Sequence, residues 1–146
     1  MEGYTKILVA IDCSDDTPAL LRRAVSLSSD KDGIHLIHVI EPLALAYGAD
    51  VPMDVSELQQ NLTQRAQETA FKYADEFSIR HENVFVELGS IEKAIQDKAD
   101  QLEVGLIIVG SHTRTGWAVL LGSTAKGLVP GAHCDVLAVK IERQKS

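Results

Sequence analysis

Ile7-Leu8-Val9-Ala10-Ile11, followed at once by Asp12-Cys13-Ser14-Asp15-Asp16 and then Thr17-Pro18, is the stretch on which the fold turns. Five apolar residues rich in β-branched side chains are too few for a helix and read as a strand buried on both faces. The acidic stretch ends it. Thr17-Pro18 reads as an N-cap followed by proline at the first helical position, and Leu20, Leu21, Ala24, Val25 and Leu27 follow at helical spacing. Asp32-Gly33 closes the helix, and a second buried strand runs Ile34-His35-Leu36-Ile37-His38-Val39-Ile40.

Outward from this strand-helix-strand unit the alternation continues. Glu41 to Val55 has no period and is apolar for a loop, with Leu43, Leu45, Tyr47, Val51 and Met53, so it reads as a long connection packed against something. Ser56-x-x-Gln59 forms a capping box. Leu58, Leu62, Ala66, Ala70, Tyr73 and Phe77 predict the longest helix, reaching about Arg80. Val84, Val86 and Leu88 alternate with Phe85 and Glu87 as a less buried strand. Gly89-Ser90 starts another helix, striped by Ile91, Ala94, Ile95, Ala99 and Leu102. Leu106-Ile107-Ile108-Val109 is a fourth strand ending at Gly110, and Val136-Leu137-Ala138-Val139 a fifth. Between them lies a glycine-rich stretch with a short apolar helix ending near Pro130-Gly131. Five strands alternating with four helices predict an α/β fold: a single open, doubly wound, mostly parallel sheet with helices on both faces. Ligands of such sheets sit beyond the carboxyl ends of the strands where strand order reverses. That nominates Asp12-Cys13, Ile40-Glu41 and Gly110-Ser111.

Composition bounds the function. A chain of 146 residues is one domain, 1–146. With 45% hydrophobic and 24% charged residues it is globular, not disordered. A net charge of −7 argues against non-specific nucleic-acid binding, which needs a basic face. Two cysteines, Cys13 and Cys134, make no disulfide framework. The start lacks a basic region followed by a long apolar run, and no apolar run approaches the ~20 residues of a bilayer span. A cytoplasmic protein without membrane insertion is expected.

Half of the ten glycines fall between 110 and 131: Gly110, Gly116, Gly122, Gly127 and Gly131. Glycine lets main-chain N–H groups approach a ligand, and Gly122-Ser123-Thr124 adds two hydroxyls at a helix start, where an anion is favoured. Val104 to Cys134 contains no Asp or Glu but does contain Arg114 and Lys126, a locally positive region on an acidic protein. A surface loop followed by a capped helix is the competing explanation. Neither a P-loop nor a dinucleotide-binding G-x-G-x-x-G is present.

Lys6-Ile-Leu-Val-Ala-Ile-Asp12-Cys-Ser14, Leu36-Ile-His-Val-Ile40, Ile108-Val-Gly110-Ser-His-Thr-Arg-Thr-Gly116, Leu121-Gly-Ser-Thr124 and Cys134-Asp-Val-Leu-Ala-Val139 together resemble the universal stress protein family over nearly the whole chain. The resemblance implies a five-stranded parallel sheet of order 3-2-1-4-5, commonly a homodimer, and in some members ATP held by G-x2-G-x9-G-[ST]. Gly110 matches the first glycine of that motif and Gly122-Ser123 the last pair. Thr113 stands where the second glycine is expected, and eight residues rather than nine separate it from Gly122. Asp12 matches the acid near the ribose, and Ala10, Ile11 and Val39 match positions lining the adenine. The implied site is thus Ala10, Ile11, Asp12, Val39, Gly110, His112, Thr113, Arg114, Gly122, Ser123 and Thr124, with Mg²⁺ as an optional companion of ATP.

Other candidates have plainer explanations. Cys13, between a strand end and a helix start, is where a thiol pKa can fall, but packing explains it as well. His35 and His38 point to opposite faces of one strand and cannot share a metal. His112 is within reach of a phosphate or is simply a solvated loop residue. His133-Cys134 lacks further zinc ligands, and no G-x-S-x-G elbow supports a hydrolase. Three readings stand: a stress-response regulator that binds ATP and signals through a homodimer, or a higher oligomer, to a protein partner; a dimeric interaction module without nucleotide; and a slow Mg²⁺-dependent ATPase using Asp12, Asp15 and Asp16.

Overall fold

Ile7, Leu8, Val9 and Ala10 form strand β1 (Ile7–Ala10), and all four are buried. The computed structural model describes residues 3–42, 56–111 and 132–140. Helix α1 (Thr17–Leu27) follows β1 and leads through a 3-10 turn (Lys31–Gly33) to β2 (Ile34–Ile40). Helix α2 (Ser56–Glu76), β3 (Val84–Leu88), α3 (Ile91–Leu102), β4 (Leu106–Ser111) and β5 (Asp135–Lys140) complete the order. Every pairing is parallel, and the strand order is β3-β2-β1-β4-β5. The expected α/β architecture is therefore found. The connection at 43–55 and the short helix expected before Pro130-Gly131 lie outside the described residues.

Alternation along each strand divides the core into two layers. Ile7, Val9, Ile34, Leu36, Leu106 and Ile108 face α1 and α2, meeting Leu20, Leu21, Ala24, Ala70, Tyr73 and Ala74. Leu8, Ala10, Ile37, Val39, Ile107 and Val109 face the other way, onto Ile91, Ile95 and Ala99 of α3. No helix among the described residues is long and apolar enough to cross a membrane.

Several boundaries differ from expectation. Asp16, not Thr17, caps α1; neither supplies a side-chain cap, and Thr17 is fully buried. The tight turn that brings Thr17 N–H to the Ser14 carbonyl, at 3.0 Å, starts the helix instead. Helix α2 stops at Glu76 rather than near Arg80. Ser78 adopts a left-handed conformation (φ 58°), and the Ser78 and Ile79 amides return to the carbonyls of Asp75 and Ala74. This is a Schellman ending, and buried Ile79 packs with Ala74 in the same layer. Helix α3 ends the same way: Glu103 is left-handed, and Glu103 and Val104 donate to Asp100 and Ala99.

Candidate functional site

β1 is the strand at which the order reverses, with β2 on one side and β4 on the other. Ala10 is in register with Ile37, so Asp12 and Val39, each two residues further on, stand level. Val9 is in register with Ile108, which likewise brings Ile11 level with Gly110. Five of the expected site residues thus gather at one carboxyl-end crevice. Ala10 and Val39 share the layer facing α3, whereas the buried Ile11 side chain belongs to the opposite layer. Only the main chain of Ile11 remains available on the Ala10 and Val39 side. His112, Thr113, Arg114, Gly122, Ser123 and Thr124 lie outside the described residues.

The chain between β1 and α1 is shaped by polar side chains. Asp12 Oδ1 accepts from the Ser14 amide at 3.0 Å and from the Ser14 hydroxyl at 2.6 Å, an Asx turn. Cys13, at the bend, takes a left-handed φ of 61°, uncommon for a residue with a Cβ. Its thiol is pushed up to about 12, first by burial and then by the Asp12 carboxylate. Packing, the plainer explanation of Cys13, is thus the one the structure supports: the thiol packs against the core with its Sγ 3.9 Å from the Ala66 carbonyl. On α2, the Tyr73 hydroxyl donates to the Ser14 carbonyl at 3.0 Å. Burial raises the Tyr73 pKa, helped by Asp15, so the phenol stays a donor.

His38 makes the remaining tie, with Nδ1 2.8 Å from the Ile11 carbonyl. A carbonyl only accepts, so Nδ1 carries the proton. His35, on the other face, bonds the Gly33 carbonyl at 2.9 Å and stacks on Phe85. Burial lowers its pKa and favours the neutral ring. Among the described residues, no three His, Cys, Asp or Glu side chains gather in a way that would hold a metal ion. An oriented carboxylate beside an apolar wall can accept from paired hydroxyls and pack a flat ring. Sequence reasoning missed Ser14, His38 and Tyr73 as parts of the site. The Asp12-x-Ser14 spacing is a legible Asx-turn signal, but Tyr73, 59 residues from Ser14, leaves no local trace.

The universal stress protein family model matches residues 3–140. The chain belongs to the universal stress protein family. It is 38% identical over 148 residues to universal stress protein A homolog 2 of Coxiella burnetii, covering 97% of this chain and 99% of the relative. Among solved structures, this universal stress protein is similar to hypothetical protein MJ0577, with a TM-score of 0.76, 24% identity, and coverage of 97% and 99%. A universal stress protein solved in complex with cAMP superposes with a TM-score of 0.62 at 19% identity, covering 95% and 98%. These two likenesses establish the fold.

Proposed function

We propose that this universal stress protein binds an adenine nucleotide, ATP, at the carboxyl ends of β1, β2 and β4, and regulates as a cytoplasmic homodimer. The observation that carries the reading is the meeting of Asp12, Val39 and Gly110 at the crevice where strand order reverses. Asp12 offers a carboxylate to the ribose hydroxyls, and Ala10 and Val39 supply an apolar wall for the base. Gly110, next to last in β4, admits close approach by phosphates, with His112, Thr113, Arg114, Gly122, Ser123 and Thr124 as the expected phosphate contacts. A family relative solved with cAMP supports the ligand class.

Calorimetric titration with ATP and Mg²⁺, together with mass analysis of ligand released from denatured protein, tests this. Gly122→Val is expected to weaken ATP at least tenfold, or about 1.4 kcal/mol. The absence of both heat and released nucleotide in the wild type would instead support an interaction module working through its surface, the reading that Thr113 in place of glycine favours.

Dimerisation is assigned to β5. Among the described residues it pairs with β4 alone, so its outer edge offers main-chain donors and acceptors to a second copy. A two-fold axis would make that pairing antiparallel. Ala138→Pro removes a donor at mid-strand and is expected to give monomer by light scattering; a folded variant that remains dimeric rejects the assignment.

A further inference from the structure

Strand β2 is apolar except for its two histidines, and His38 is only half-buried, so packing alone does not explain an imidazole there. The hydrogen bonding does. The main-chain ladder of β1 reaches the Ile11 amide, which donates to the Ile37 carbonyl at 2.9 Å. The Ile11 carbonyl is then taken by a side chain, His38 Nδ1–H at 2.8 Å. Three residues later the Ser14 carbonyl accepts from the Tyr73 hydroxyl at 3.0 Å. Between these two anchors lie the Asp12 carboxylate, fixed by Ser14, and the left-handed Cys13. A left-handed residue with a Cβ persists only where its surroundings hold it, and here the two rings grip the chain on either side.

We propose that His38 and Tyr73 are positioning residues that hold the Asp12 carboxylate in the orientation that reads ribose hydroxyls. The proposal rests on the nucleotide reading above and extends it to β2 and α2, neither of which needs to touch the ligand through these rings. Each ring acts through a main-chain carbonyl. Without His38 the Ile11 carbonyl loses its side-chain donor, and without Tyr73 the Ser14 carbonyl keeps the Thr17 amide but loses its tie to α2. Either loss lets the turn relax, and Asp12 loses its aim while the apolar wall stays in place.

The measurement is the ratio of affinities for ATP and 2′,3′-dideoxy-ATP, which differ only in the ribose hydroxyls. Wild type is expected to prefer ATP. His38→Leu, which keeps the apolar volume and removes the donor, is expected to weaken ATP about tenfold, a loss consistent with one oriented hydrogen bond, and to leave the dideoxy analogue within about twofold. Tyr73→Phe removes a single oxygen and keeps the ring in the core. It is expected to shrink the same ratio about threefold or more. His38→Asn returns an amide donor close to the Nδ1 position and is expected to restore the preference. A loss that falls equally on both nucleotides, or a ratio unchanged in His38→Leu and Tyr73→Phe, overturns the positioning role while leaving nucleotide binding intact. Wild type that binds neither nucleotide overturns the nucleotide reading and the positioning role with it.

Discussion

At the amino end of the sheet, main-chain bonds do much of the closing, joined by side-chain bonds from Tyr4 to Asp135 and from Asn83 to the Asp32 and Ile34 carbonyls. Tyr4 donates to the Leu27 carbonyl and accepts from Ser29, Gly105 donates to Lys6, and Asp135 donates to Gly105. At the carboxyl end, side chains do the closing: His38 on Ile11, Ser14 on Asp12 and Tyr73 on Ser14. Main-chain bonds are indifferent to which side chain a residue carries, so the amino end is constrained chiefly where there is no room for one. Side-chain bonds depend on identity, so the carboxyl end is constrained residue by residue. The first arrangement suits stability. The second suits a site that must present one carboxylate in one orientation.

The contrast is broken most severely at Gly33. A Cβ there would lie 1.7 Å from the Thr5 carbonyl oxygen, a main-chain atom that cannot move aside alone. Gly33→Ala is expected to cost at least about 3 kcal/mol, the upper range for overpacking, as read by urea denaturation. A cost below ~1 kcal/mol would mean that the amino end is softer than its bonding suggests.

The carboxyl end is tested by pH. The Cys13 thiol is raised from 9.0 to about 12 in the folded chain, so between these values the unfolded chain releases a proton that the folded chain keeps. The stability conferred by Cys13 is therefore complete below pH 9 and disappears as pH rises towards 12. The slope is on the order of 1 kcal/mol per pH unit. Cys13→Ala is expected to flatten this alkaline loss relative to wild type; parallel stability curves for the two proteins would contradict it.

The smallest effect sharpens the comparison from the amino end, where α3 hands the chain to Gly105 and β4. Glu103 occupies its left-handed position (φ 56°) without being glycine. Glu103→Gly is expected to raise stability by about 0.5–1 kcal/mol by relieving the Cβ strain. An unchanged or lowered melting temperature would show that the glutamate side chain contributes an offsetting contact.

The fold was legible because hydrophobic runs in β1, β2 and β4 are too short for helices and uninterrupted by charge, a pattern that only a doubly covered sheet produces. The site was legible as far as each strand end. Asp12, Val39 and Gly110 follow directly from where strands stop. The ties on either side of Asp12 were not, because Tyr73 and His38 reach the Ser14 and Ile11 carbonyls across the fold, and a tyrosine on an apolar helix stripe looks like core from sequence alone. The end of α2 was misplaced for a related reason, whereas the stripe of α3 stopped at Leu102, where that helix ends. Ser78 takes a conformation usually marked by glycine, so its sequence carried no stop signal.

The strand order also divides the molecule in time. β1, β2 and β3 are joined by successive crossovers, whereas Ile7 meets Leu106 only after roughly 100 residues of intervening chain have been gathered in. During synthesis the amino-terminal half can assemble with one side of β1 unsatisfied, a waiting seam that β4 later fills. Pulse-labelled amides of Ile107 and Ile108 are expected to gain protection after those of Leu36 and Ile37, and the exposure of that seam, rather than the stability of the finished sheet, sets how long the nascent chain is vulnerable to pairing with the wrong strand.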